Sequence, residues 1–198
     1  EYLAGVSFGA TTPSYDLEKA IDQEYPVEGV TEESVREVLP RFLGEQEQIA
    51  PLFSAKSVDG VRAYELARKQ YREAHKEKTD VMTDFDHTVA ETLNKQIINI
   101  SGMELISFFP NGKESGPELS DEGLRPNPRI NVVDTSALHL PLAMIRIKCS
   151  KGTYIRALAR DLGEALGSGA HLNSLERTKS GGFTVGNCLS VNEVISVL

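Results

Sequence analysis

The chain has 198 residues, 40% hydrophobic and 25% charged, with a formal net charge of −8. That is length for one sizeable domain or two small ones, with enough apolar side chains for a core. No apolar run approaches the roughly 18 residues of a membrane-spanning helix, no signal-peptide pattern is visible, and the acidity argues against a general nucleic-acid coat protein.

Tyr2 to Gly9 alternates in hydrophobicity and predicts a strand. The alternation is already under way at Glu1, with no initiator Met, which suggests a fragment whose upstream part lies outside the sequence. Residues 10–16 (ATTPSYD) read as a loop, because Thr-Thr-Pro breaks both periodicities. Asp16 to Gly29 is acidic and reads as a surface connection. Thr31 is placed as a helix N-cap, with Glu32 and Glu33 in the first turn and Val35, Val38, Leu39 and Phe42 on the apolar face. Pro40 should kink or end that helix, and Gly44 closes it.

Gln46 to Gly60 reads as a polar turn, an extended segment and an Asp-Gly turn. Val61 to His75 reads as a helix. Residues 76–94 are polar with little pattern. Lys95 to Phe109 returns to strand character, and Pro110 to Pro128, rich in Gly, Pro, Glu and Ser, reads as a long loop. Segments 70–95 and 110–130 are therefore expected insertions or loops. Arg129–Val133 and His139–Cys149 read as strands that pair antiparallel. A turn at Ser150, Lys151 and Gly152 then leads into a helix in which Ile155, Leu158, Ala159, Leu162 and Leu166 recur every three or four residues, ended by Gly167 and Gly169. His171–Leu175 reads as a short helical turn, Gly182–Val185 as a last strand, and Ser190–Leu198 as a helix capped by Ser190. Strands and helices mix without a βαβ rhythm. This predicts an α+β fold with a mixed, largely antiparallel sheet flanked by helices and loops.

The stretch from Ala143 to Arg177 carries the chemistry. A strand feeding a helix through a glycine points free backbone N–H groups beyond the strand end. Tyr154 adds an aromatic face there and Arg156 a guanidinium, a pair suited to a flat ligand or to a carboxylate that must stay ionised. The same pair also occurs in ordinary strand–turn–helix units, and Lys151-Gly152-Thr153 is not a Walker loop. Between Pro141 and Ser180 seven Lys/Arg face three Asp/Glu, a local +4 that leaves −12 for the rest. That patch fits a polyanion site or chance equally well. His75, His87, His139 and His171 have no metal-ligand spacing, and Ser54 is not in a nucleophile elbow. Asp16 and Asp161 are the carboxylates of most interest, and Asp161 reads as a structural ion pair. Cys149 and Cys188 are expected to be free buried thiols in a reducing cytoplasm.

Three separated segments share one resemblance. Residues 149–183, CSKGTYIRALARDLGEALGSGAHLNSLERTKSGGF, resemble the signature of bacterial-type tRNA pseudouridine-55 synthases, the TruB family. Residues 42–68, FLGEQEQIAPLFSAKSVDGVRAYELAR, are similar to that family's F-x-G-x-x-x-Q-x-P-P-x-F/Y-S-A-x-K segment. Residues 1–16 are similar to its K-x-Y…G-x-x-T-x-T-x-D segment. The departures are Ala50 for the first of two prolines, Lys56-Ser57 in reversed order, Pro13-Ser14 for Asp-Thr, and Glu176 where Arg is common.

The resemblance implies the pseudouridine synthase fold and an enzyme that flips a uridine out of the T-loop of tRNA and isomerises it. It implies Arg156 and Tyr2 as catalytic residues, with Arg156 holding an aspartate ionised and Tyr2 stacking on the base. It further implies Tyr154 and Leu175 as contacts to the uridine, and Lys148, Lys151, Arg177 and Lys179 as partners of RNA phosphates. The family's nucleophilic aspartate lies in a Gly-Gly-x-Leu-Asp-Pro loop upstream of the Tyr2 segment. Residues 1–198 are thus expected to be the larger C-terminal part of one catalytic domain, with no C-terminal RNA-binding appendage. The partner implied is the T-arm of tRNA. No cofactor, metal or membrane is implied, and a cytoplasmic monomer is expected. The alternative is a non-catalytic RNA-binding or tRNA-folding module on the same fold.

Overall fold

The computed structural model describes residues 1–51, 57–58, 61–62, 95–112 and 133–197. In chain order the elements are β1 (Tyr2–Phe8), β2 (Ala10–Thr11), β3 (Gln23–Glu24), α1 (Glu32–Val38), a 3-10 turn (Leu39–Phe42), β4 (Gly44–Gln48), β5 (Ser57–Val58), β6 (Val61–Arg62) and β7 (Gln96–Phe109). A 3-10 turn (Ser136–Leu138), β8 (Leu142–Cys149), α2 (Ile155–Leu166), β9 (Ala170–Arg177), β10 (Lys179–Ser180), β11 (Phe183–Thr184), a third 3-10 turn (Val185–Asn187) and α3 (Val191–Val197) follow.

Five strands form the central sheet, in the order β4-β7-β8-β1-β9. Every neighbouring pair in it is antiparallel, so the α+β class and the sheet type agree with the sequence. One parallel contact, an isolated bridge between Asp16 and Leu172, ties the loop after β1 to β9. β8 shows why the sheet forms. In LAMIRIKC, Ala143, Ile145 and Ile147 are fully buried while Arg146 and Lys148 point the other way, the two-residue period of a half-covered strand. Val6 and Phe8 of β1, Ile100 of β7, Leu158 and Leu162 of α2, and Val35 and Val38 of α1 complete the core on that face.

α2 runs over β1 and β9. Its apolar residues fall at the expected spacing, and Ile155, Leu158, Ala159 and Leu162 are buried. Gly163 lets it lie close: a Cβ there would sit 2.3 Å from the Ala170 nitrogen. Gly167, at φ 67°, ends the helix in the left-handed cap, as read from the sequence. α1 begins in a reciprocal capping box between Thr31 and Ser34, and at Pro40 the chain tightens into 3-10 geometry rather than continuing as α-helix. Ser190 and Glu193 form a second such box at the start of α3.

Four readings change. Gly44–Gln48 is an edge strand, not a turn, because it completes the ladder with β7. Val61–Arg62 is a strand paired with Ser57–Val58, not the start of a helix. His171–Leu175 lies in β9, where β1 supplies its hydrogen bonds, and is not a helical turn. Cys188 is exposed, and Cys149 is only half-buried. The strand expected at His139 begins at Leu142 and pairs with β1 and β7. The rest of the 61–75 helix, all of 76–94, most of the 110–128 loop, and a strand at 129–132 lie outside the described residues.

Candidate functional site

The loop after β1 is held in place by a dense set of hydrogen bonds. Thr12 and Ser14 are fully buried. The Thr12 hydroxyl donates to the Asp16 carbonyl at 2.7 Å, and the Tyr15 N–H donates to the Thr12 carbonyl. Tyr15 takes a left-handed φ of 61°, uncommon for a bulky residue. It is held there by the Leu172 N–H, which donates to its carbonyl at 2.9 Å, and by the Arg160 guanidinium 5.0 Å over its ring.

This scaffold aims the Asp16 carboxylate. Oδ1 accepts from the Ser14 hydroxyl at 2.6 Å and from the Glu18 N–H at 3.0 Å. Oδ2 accepts from Arg156 Nη1 at 3.0 Å, and the same nitrogen donates to the Ser14 carbonyl at 3.3 Å. Arg156 thus turns inward from the first turn of α2, onto a loop about 140 residues earlier, with only 22% of its side chain exposed. Asp161 has the structural role expected of it, pairing with Arg160 at 2.6 Å. Burial raises its pKa against the pull of Arg160.

Tyr154 is the N-cap of α2 and makes no side-chain cap. A tyrosine there forgoes the hydrogen bond that Ser, Thr, Asp or Asn would give, typically worth about 1 kcal/mol. Other support for this turn comes from the far edge of the sheet. Gln48, 2% exposed, donates Nε2–H to the Tyr154 carbonyl at 3.1 Å and accepts the Tyr154 N–H at Oε1 at 2.9 Å. Its cross-strand partner Gln96 donates to the Gly152 carbonyl at 2.6 Å. Ser150 exchanges backbone and side-chain bonds with Asn99.

The antiparallel register gathers the remaining residues. Tyr2 opposes Ile147 of β8 and Arg177 of β9, so the start of β1 and the ends of β8 and β9 coincide where the chain enters α2. Tyr2 packs on the core, and the Arg177 guanidinium lies 5.3 Å from its ring centre. Leu175 opposes Ala4 and is 47% exposed. Lys151 is exposed in the turn before α2, and Lys179 is exposed on β10. Lys148 lies 4.0 Å from the Glu1 carboxylate. Arg146 is paired with Glu104 at 2.8 Å. The local positive charge is therefore partly neutralised in place, and Lys151, Arg177 and Lys179 carry its outward-facing part.

His171 is fully buried, with Nδ1 2.9 Å from the Ala10 carbonyl and Nε2 lacking a partner. Burial lowers its pKa. His75 and His87 lie outside the described residues. Among the described residues no group of three or more His, Cys, Asp or Glu is placed to hold a metal, and no helix is long and apolar enough to cross a membrane. Sequence reasoning did not assign Asp16 as the partner of Arg156 or give Gln48 any role. The signals were there, in the final Asp of the T-x-T-x-D segment and the Gln of the second segment.

Comparison with known proteins gives two family models. "TruB family pseudouridylate synthase (N terminal domain)" matches residues 1–106. "tRNA pseudouridylate synthase B C-terminal domain" matches residues 156–198. The chain is 42% identical to the tRNA pseudouridine synthase B of Parabacteroides distasonis over 98% of its own length and 62% of that protein. It is 44% identical to that of Bacteroides thetaiotaomicron over 96% of this chain and 60% of the relative. With that of Deinococcus radiodurans the identity is 35%, over 98% and 58%. The chain thus spans about three fifths of the length of these relatives. A solved H/ACA RNP bound to a substrate RNA containing 2'-deoxyuridine is similar at a TM-score of 0.43 and 16% identity, over 93% of this chain and 29% of that one.

Proposed function

Because the chain belongs to the TruB family of pseudouridylate synthases, we propose that the complete protein isomerises a uridine to pseudouridine in the T-loop of tRNA, at position 55. The observation that carries this reading is the match of nearly the whole chain to relatives named tRNA pseudouridine synthase B.

In this reading the uridine is flipped out of the T-loop into a pocket at the start of α2. An aspartate in a loop upstream of Glu1 attacks it, and residues 1–198 form the larger part of the same catalytic domain. The C1′–N1 bond breaks and the uracil turns. C5 then bonds to the ribose as the aspartate oxygen leaves the substrate and regains its charge, the C5 proton departs, and N1 takes up a proton. Tyr2 stacks on the base, Tyr154 and Leu175 wall the pocket, and Arg156 keeps the attacking carboxylate ionised where water is excluded. Asp16 is the positioning residue for Arg156. When the nucleophile is bonded to the substrate its charge is gone, and an unpaired partly buried guanidinium would be costly. Asp16, 3.0 Å away, keeps it compensated through that step. Lys148, Lys151, Arg177 and Lys179 meet phosphates of the T-arm. The protein acts as a cytoplasmic monomer without metal or cofactor.

The test is release of tritium from tRNA transcripts labelled at C5 of uridine, incubated with the full-length protein. One equivalent per transcript is expected, and none when the T-loop uridine is replaced by cytidine. No release from the labelled wild-type transcript overturns the reading.

A further inference from the structure

We propose that Gln48 is a positioning residue of the uridine pocket, acting through the backbone of Tyr154. This rests on the functional reading above and extends it to a residue on the opposite edge of the sheet. A primary carboxamide carries an N–H donor group and a carbonyl acceptor side by side in one plane, complementary to a backbone C=O and N–H. Gln48 uses both on one residue, accepting from the Tyr154 N–H and donating to the Tyr154 carbonyl. A single hydrogen bond leaves a backbone free to swing about it. Two bonds to the same residue fix the direction in which its Cα–Cβ bond leaves the chain.

The same two bonds set where α2 begins. The Tyr154 carbonyl accepts the Leu158 N–H of the first helical turn, so Gln48 reaches the helix at its opening bond, two residues before Arg156. Nothing about sheet formation requires the contact. Gln48 is the last residue of β4 and already pairs with Gln96 through the backbone. A buried glutamine at a strand end is costly unless its polar atoms are used, and here both are used on the one residue that places the tyrosine and starts the helix carrying Arg156. The Arg160 guanidinium reaches the neighbouring Ile49 carbonyl at 3.5 Å, so the β4 end is fastened to α2 at a second point. The placement of the pocket tyrosine thereby depends on the edge strand, not only on the local turn.

The test uses the full-length protein, the tritium-release assay, and the variants Gln48→Met and Gln48→Glu. Gln48→Met keeps the volume and removes both polar groups. It should lower kcat by about 100-fold, the cost of a misplacement near 1 Å, with little change in KM, and hasten hydrogen exchange at the Tyr154 amide. Gln48→Glu keeps the acceptor but turns a second acceptor toward the Tyr154 carbonyl. When protonated its carboxyl regains a donor beside the acceptor, and burial against a carbonyl raises its pKa. Relative to wild type, its rate should therefore recover as pH is lowered from about 8 to about 6, which Gln48→Met cannot do. Glu47→Ala, on the exposed side of the same strand, is the control and should match wild type.

Wild-type turnover in both Gln48 variants, or unchanged Tyr154 exchange in Gln48→Met, overturns the proposal. So does a Gln48→Glu profile parallel to that of Gln48→Met. An inactive wild-type protein instead overturns the functional reading, while amide exchange still reports whether the two bonds exist.

Discussion

Replacing Asp16 by Asn removes the charge opposite Arg156 and keeps the shape of the side chain. The pair is neither fully buried nor exposed, at 22% and 23% side-chain exposure and 3.0 Å separation. Exposed pairs contribute about 0–1 kcal/mol, and breaking a buried pair costs about 3–5 kcal/mol. A coupling of about 2 kcal/mol lies between these limits. Asp16→Asn should also weaken the charge-assisted bonds from Ser14 and Glu18, for a total loss of about 2–3 kcal/mol. At about 2–4 °C per kcal/mol for a chain of this size, Tm should fall by about 5–10 °C. The assay is a double-mutant cycle of Asp16→Asn and Arg156→Met followed by urea denaturation. Far-ultraviolet circular dichroism is the probe, because the chain has no Trp. The two losses should fall short of additivity by about 1–2 kcal/mol. If they add to within about 0.5 kcal/mol, the pair is uncoupled and Asp16 does not hold Arg156.

Other outcomes follow from the same structure. Gly163→Ala places a Cβ 2.3 Å from backbone and should cost more than about 3 kcal/mol in urea denaturation. Gly182→Ala, with open space around it, should stay within about 0.5 kcal/mol of wild type. His171 is held neutral by burial, so the unfolded chain binds a proton that the folded one does not. Its stability contribution is intact above about pH 6.5 and is lost progressively below it. His171→Leu should accordingly show a shallower acid loss of stability than wild type, by up to about 1.4 kcal/mol per pH unit, and an equal slope would show that His171 does not titrate differently on unfolding. Arg177→Ala frees one face of Tyr2 and removes an outward cation. It should weaken tRNA binding and reduce the slope of log affinity against log salt by about 0.9. Arg146→Ala, whose charge is already met by Glu104, should change that slope much less.

How far the fold was legible depended on whether each element buries one face. α2 was, because Ile155, Leu158 and Leu162 bury one stripe and Gly167 stops it. β8 was, because its alternation is intact. β9 was not, because Ala170, His171 and Leu172 are all buried in succession. α2 covers one side there, and the loop reached by His171 at Ala10 covers the other. That removes the alternation a strand shows when one face is wet. β4, GEQEQ, has no apolar residue to reveal it, since its one buried side chain is Gln48. The site divides along the same line. Tyr154 and Arg156 stand together in sequence and could be read as a unit. Asp16 lies 140 residues from Arg156 and Gln48 106 from Tyr154. Such pairings are set by sheet order, which no local period encodes.

The central claim, that Arg156 serves uridine isomerisation, is most directly tested by the pseudouridine content of a tRNA transcript after incubation with full-length wild type or Arg156→Met. The account predicts one pseudouridine per transcript for wild type, at T-loop position 55, and a rate about 100- to 1,000-fold lower for a folded Arg156→Met, as expected when an electrostatic stabiliser is removed. Pseudouridine formed at the wild-type rate by Arg156→Met, or none formed by the wild-type protein, would contradict it.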